Sequence, residues 1–260
     1  MRAKMVALRY EKPIICTEYG GPGLFEFPEN RKYVSLAASW TQSVAKPDQQ
    51  SALAAVAATN PIEDLYRKMS ELAPQTQMFL QGCPPEVDAK YQRIQARGIV
   101  ERNLFALAAG VQKTLYWYLP ATPVTGDARY NLMSVMYGKI GMLELHEKSY
   151  TKRYPSADAF ERMARTLDGV RHVKRVELAE KPSIFLFAVD RGARGLAYVV
   201  WERRDTFSGE DSPAVPFEFP FMGSKANATD ALGQAIPVRA LDGKLRLAVS
   251  VTPILIEPAR

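Results

Sequence analysis

Cysteine and histidine are scarce in this 260-residue chain: Cys16, Cys83, His146 and His172 are all there are. Two cysteines cannot build a disulfide framework, and four such residues at these spacings match no zinc-binding pattern. Long apolar runs are missing too. None reaches the roughly 18–20 residues that cross a bilayer as a helix. The basic opening MRAKMVALRY has no apolar core for a secretory signal. The compartment is left open: secreted or periplasmic if the complete protein carries an N-terminal signal. Basic residues outnumber acidic ones by 34 to 28, a net charge of +6, but they form no tract with interleaved aromatics. A nucleic-acid partner is therefore not expected. Neither is a membrane, a metal or a cofactor.

What is present divides near residue 170. Before it, helical patterns alternate with two short apolar strands, Pro13–Thr17 and the aromatic run KTLYWYLP that Pro120 ends. Between them lies a Gly/Pro-rich loop, GGPGLFEFPEN, and a long section holding helical stretches such as PIEDLYRKMSEL. The segment from about Thr41 to Pro85 is longer than most loops, so helices of its own are expected there. A helix follows from about Asp88 to Ala109, with Val100, Leu104, Leu107 and Val111 at helical spacing and Gly110 as its stop. A last helix, SADAFERMARTLDG, has Ser156 as candidate N-cap and Gly169 past its end.

From about Arg171 the pattern changes to short alternating runs. HVKRVEL, SIFLFAV, LAYVVWE, PFEFPF, AIPVRA, LRLAVSV and PILIE are the strand candidates, with Asp242-Gly243 as a hairpin turn. The expected fold class is α/β plus all-β. Its first part, residues 1–169, is read from strand–helix–strand grammar, and residues 170–260 as an antiparallel β-sandwich.

Glu18 and Trp117 are the candidate chemistry. Glu18 leaves a strand end and meets Gly20 and Gly21, which would let the backbone turn sharply. Side chains at the C-terminal ends of barrel strands form active sites. The competing reading is a solvated acid at a strand end. Alternation places Leu115, Trp117 and Leu119 on one side of the second strand, with Tyr116 and Tyr118 on the other. Trp117 is either a sugar platform or core filling.

Together these residues resemble clan A glycoside hydrolases, whose seventh barrel strand ends in a glutamate, often within a Thr-Glu-Tyr/Phe-Gly motif. KPIICTEYGG looks like that strand, and GIVERNLFALAAGVQKTLYWYLP resembles the following helix and eighth strand. KRYPSADAF is a loose match to the Lys-Pro-x-Tyr-x-Ala motif of the final loop and helix, and the β-rich tail looks like the sandwich often fused behind such barrels. The resemblance implies a partial (β/α)8 barrel, its last two βα units enlarged by a helical insertion. It implies Glu18 as the nucleophile of a retaining enzyme, Tyr19 as a neighbour shaping the pocket, Trp117 as a sugar contact and a carbohydrate as partner.

One departure matters. The clan's acid/base is a glutamate after asparagine, and no Asn-Glu pair occurs in this chain. About ten residues precede the proposed seventh strand. The acid/base and the earlier strands are therefore expected on a missing N-terminal half or on another chain. Glu26, Glu29, Asp127 and Glu144 are poor substitutes, read as surface charges or substrate contacts. The rival reading is a non-catalytic carbohydrate-binding or structural protein, with Tyr198, Trp201 or Phe207 as a platform.

Overall fold

The computed structural model describes residues 12–33, 61–121, 126–146 and 148–259, together with Met5 and Ala7. Part of the section expected to form helices, residues 41–60, lies outside the described residues. Helix and strand are mixed, with several antiparallel sheets. Two compact units, each discontinuous in sequence, comprise Met1–Tyr19, Ala96–Trp117 and Asp158–Arg260 in one, and Gly20–Gln95 and Tyr118–Ala157 in the other. The break expected at 169/170 falls inside the first.

In the first unit, β1 (Ile15–Tyr19) pairs in parallel with β2 (Lys113–Tyr116). The second half of helix α3 (Pro85–Ala108) belongs to the same unit. Ile99, Val100 and Leu104 are fully buried, as the helical spacing requires. Gly110 and Gly169, at φ 86° and 76°, take the left-handed position past helices α3 and α5 (Pro155–Thr166). The N-cap expected at Ser156 is displaced: Pro155 opens α5, a position where its missing N–H costs nothing, so Ser156 stands within the helix and is buried.

Eight strands follow. β6 (His172–Val176), β7 (Ile184–Asp190), β8 (Leu196–Glu202), β13 (Ile254–Pro258) and β10 (Ala226–Asp230) form a five-stranded antiparallel sheet. β9 (Val215–Pro220), β12 (Lys244–Val249) and β11 (Arg239–Leu241) form a three-stranded one. Asp242 and Gly243, both at positive φ, turn the β11–β12 hairpin, whose register is Leu241↔Lys244.

The two sheets enclose one core, built from Leu186, Val200 and Ile256 on one side and Phe217, Phe219 and Leu245 on the other. β9 and β12 alternate buried and exposed residues because only one of their faces is covered. β7 and β8 read as nearly continuous apolar runs because both of theirs are. On the second face Phe187 stacks on Trp201, centroids 5.2 Å apart, and Phe105 of α3 meets Phe185, Phe187 and Trp201 edge-on at 5.2–5.7 Å. Arg97, buried on α3, reinforces this junction by pairing with Glu210 and donating to the Thr206 carbonyl at 3.0 Å.

The second unit holds α1 (Pro61–Arg67), α2 (Pro74–Gln77), the first half of α3, α4 (Leu132–Tyr137) and a three-stranded sheet. That sheet comprises β3 (Pro120–Ala121), β4 (Leu143–His146) and β5 (Ser149–Arg153). Only two strands were expected before residue 170, and the described residues contain five. The β4–β5 hairpin was missed because its outer strand is fully exposed and polar. The aromatic run is also corrected: β2 ends at Tyr116, and Tyr118, at φ 91°, breaks it before Pro120 starts β3 in another sheet. The loop after β1 is not loose. Leu24 and Phe27 are buried, and buried Asn30 donates to the carbonyls of Leu24 and Gln75, both at 2.9 Å.

Candidate functional site

β1 runs two residues further than the apolar pattern suggested, so Glu18 and Tyr19 lie within it. Cys16 pairs with Thr114 and Tyr19 with Tyr116, so two residues on β1, Thr17 and Glu18, face one on β2, Leu115. The surplus is a β-bulge at Thr17–Glu18, a device that re-aims a side chain at a strand end. The Glu18 carboxylate is exposed, and its backbone carbonyl accepts a 3.3 Å bond from the Cys16 thiol. Trp117, half-buried just past β2, donates its backbone N–H to the Tyr19 carbonyl at 2.7 Å. The two candidate residues thus flank one main-chain bond at the same end of the parallel pair.

Tyr19 turns the other way, toward helix α3. Asn103, 2% exposed, donates through Nδ2 to the Tyr19 hydroxyl and to the Ile99 carbonyl at 2.8 Å, while its Oδ1 accepts from the Thr114 hydroxyl. Both amide hydrogens and the carbonyl of Asn103 are used, so one side chain ties the helix to both strands. Tyr116 packs edge-on against Tyr19 at 5.2 Å. Burial pushes the Tyr19 hydroxyl up to about 12, partly opposed by the Asn103 hydrogen bond. It holds the strand pair to α3. On β2, Tyr116 is half-buried and Leu115 is 43% exposed, so the side carrying Tyr116 is the better covered of the two.

Sequence reasoning passed over Asn103, although a signal was there: an amide four residues from both Ile99 and Leu107, in line with the apolar stripe of the helix. It also passed over Glu101, half-buried on α3. Burial pushes the Glu101 carboxyl up to about 7, against the pull of Arg97 and Arg102.

The glycines after Glu18 play a different part from the one expected. Neither has a positive φ, and a Cβ on Gly21 would stand 3.3 Å from both Gln95 and Ile140. Close packing, not a left-handed turn, demands glycine at position 21.

The other acids are placed as follows. Glu26 accepts the Gly23 N–H at 2.9 Å at the start of a short 3₁₀ turn, and Glu29 is exposed. Glu144 accepts from the Tyr154 hydroxyl at 2.8 Å and the Thr151 hydroxyl at 3.2 Å. The Asp127 side chain lies outside those described. Trp201, proposed as a platform in the rival reading, is 2% exposed and stacked in the core. Among the described residues, no group of three metal-ligating side chains could hold an ion, and no helix is long and apolar enough to cross a membrane.

No family model matches the chain, and no curated protein does. Among solved structures, 64% of the chain is similar to 30% of a family 39 glycoside hydrolase from the gut symbiont Bacteroides cellulosilyticus WH2, at 16% identity and a TM-score of 0.45. The catalytic domain of GH30 xylanase C from Talaromyces cellulolyticus matches over 64% of this chain and 35% of its own, at 11% identity and a TM-score of 0.46. An Anoxybacillus alpha-amylase matches over 66% and 33%, at 11% identity and a TM-score of 0.35. The chain spans about a third of the length of each.

Proposed function

We propose that this chain is the C-terminal segment of a retaining clan A glycoside hydrolase that cleaves O-glycosidic bonds. Residues 1–169 would be the end of its (β/α)8 barrel and residues 170–260 a trailing sandwich. The observation that carries the reading is the joint placement of Glu18 and Trp117 at one end of a parallel strand pair, with the bulge at Glu18. A barrel enzyme presents its chemistry at that end.

Retention needs two carboxyl groups about 5–5.5 Å apart, one attacking the anomeric carbon and one protonating the leaving oxygen. Glu18 is the attacking group in this reading, and Trp117 offers an aromatic face to the sugar ring. Tyr19 reaches the substrate only indirectly, by anchoring the strand that carries Glu18. The acid/base belongs to an N-terminal part or to another chain. Among the described residues β1 and β2 have no partner beyond each other, and Ile15 is 48% exposed and Leu115 43%. Parallel strands normally have both faces covered. The exposed apolar residues and open edges therefore fit a pair that other strands complete.

The test is labelling of the complete protein with a mechanism-based fluoroglycoside. The peptide containing Glu18 should carry the label, and Glu18→Ala should abolish turnover while sparing sugar binding. Labelling of a different carboxylate would refute the assignment.

A further inference from the structure

The second unit contains a cavity of about 390 Å³, with the hydrogen-bonded pair Glu144 and Tyr154 in its wall. Its volume lies within the roughly 300–1,000 Å³ typical of small-molecule sites. Four separate segments build it: residues 81–92, with one face of the first turns of α3 through Asp88 and Gln92; Ala121 of β3; the turn after α4, through Lys139; and the β4–β5 hairpin with the residue after it, through Glu144, Lys152 and Tyr154. Residues 88 and 92 share a helix face because they are four apart.

The charges in the wall cancel locally. Lys139 Nζ is 2.6 Å from Asp88 Oδ1 and spends its remaining hydrogens on the Met78 carbonyl at 2.7 Å and the Cys83 sulfur at 3.3 Å. Glu144 stands directly opposite Lys152 in the antiparallel register. Two carboxylates make the cavity unattractive to an anion, and two ammonium groups make it unattractive to a cation. What is left over is hydrogen-bonding capacity of both kinds. The Lys152 ammonium lies over the Tyr154 ring, 4.8 Å from its centroid. Glu144 keeps lone pairs beyond the two it gives to Tyr154 and Thr151. Gln92 is 8% exposed, and its Oε1 has no hydrogen-bond partner among the described residues. A buried acceptor without a donor is costly, and rotation of the terminal amide offers it to a ligand in the cavity whose wall it forms.

We propose that this cavity is a binding site for a neutral, hydroxyl-rich ligand, a mono- or disaccharide, held by Gln92, Glu144 and Lys152. Hydroxyl groups donate and accept at once, which suits a wall that offers both functions and no net charge. The choice of a sugar among neutral polyols rests on the carbohydrate reading proposed above. The site itself is separate: the cavity belongs to the second unit, whereas Glu18 and Trp117 belong to the first.

The experiment is calorimetric titration of the 260-residue chain with a panel of neutral mono- and disaccharides, with sulfate and a small alkylammonium salt as charged comparators. At least one sugar should bind with one-to-one stoichiometry, and neither ion should compete with it. Gln92→Met keeps the shape but removes the acceptor, and should weaken sugar binding about tenfold. Lys152→Met, at an exposed position, should weaken it as well and covers the case in which the Gln92 variant misfolds. Arg246→Ala, on β12 of the first unit and absent from the cavity wall, should leave it unchanged. No sugar binding at the highest soluble concentrations overturns the proposal. So does binding that both cavity variants leave intact, or displacement of the sugar by either ion. Cavity binding without Glu18 labelling in the complete protein would retire the nucleophile assignment alone; labelling without cavity binding would retire this site alone.

Discussion

Replacing Asn103 by leucine tests whether one buried amide holds the strand pair to its helix. The side chain is 2% exposed and makes three hydrogen bonds, to the Tyr19 hydroxyl, the Ile99 carbonyl and the Thr114 hydroxyl. Leucine has a similar volume, so cavity formation adds little. Each lost bond is worth about 0.5–1.5 kcal/mol net, and partners left buried without a replacement raise the cost further. The expected destabilisation is about 2–4 kcal/mol, a large share of the stability of an ordinary domain. Tyr19→Phe alone should cost about 1 kcal/mol. The double variant should cost less than the sum by about 1 kcal/mol, since no hydroxyl remains at position 19 to be stranded. Urea denaturation measures this through the midpoint, provided the slope is unchanged. An Asn103→Leu variant within about 0.5 kcal/mol of the parent, or strictly additive costs, would sink the argument that the relay anchors β1.

Glu101 makes stability depend on pH. Its folded pKa of about 7 lies above the ordinary 4.5, so the folded state holds an extra proton between those values. Its contribution to stability is greatest at low pH, falls as pH rises through that window and is flat above it. Glu101→Gln should remove the slope and gain about 1–3 kcal/mol over the parent near pH 8, read by thermal melts across pH; a variant that keeps the slope assigns it elsewhere. Glu210→Ala strands the buried Arg97 guanidinium and should cost about 3–5 kcal/mol, with Glu210→Gln costing clearly less because it still accepts a hydrogen bond. Equal losses in chemical denaturation would argue against a charge effect. Residues 170–260 expressed alone should bind more hydrophobic dye per mole than the full chain, because the Phe187–Trp201 face loses its cover from Phe105. A dye-silent, monomeric fragment would mean that the pair of sheets stands by itself. The whole chain should show no glycosidase turnover on aryl glycosides, since a missing general acid typically costs about 10²–10⁴-fold; turnover that disappears in Glu18→Ala would reveal a second carboxylate that this reading lacks.

Short-range physics is what this sequence determined by itself. The helical spacing of Val100 and Leu104, the stops at Gly110 and Gly169 and the Asp242-Gly243 turn all depend on neighbours within a few residues, and each stands where the pattern put it. The apolar runs of β7 and β8 likewise announced strands, although not that α3 covers their second face. Tertiary structure decided the rest, because the partner of a polar group can lie anywhere in the chain. Tyr19 meets Asn103 across 84 positions and Arg97 meets Glu210 across 113. Helical spacing can place Asn103 or Arg97 on a packed face, but nothing local names the partner that either will meet. The same holds for Gly21, whose reason is Ile140 and Gln95, and for Ile15, which is apolar yet 48% exposed. Whether a strand is buried depends on what lies against it, and for β1 no periodicity in its own residues could say.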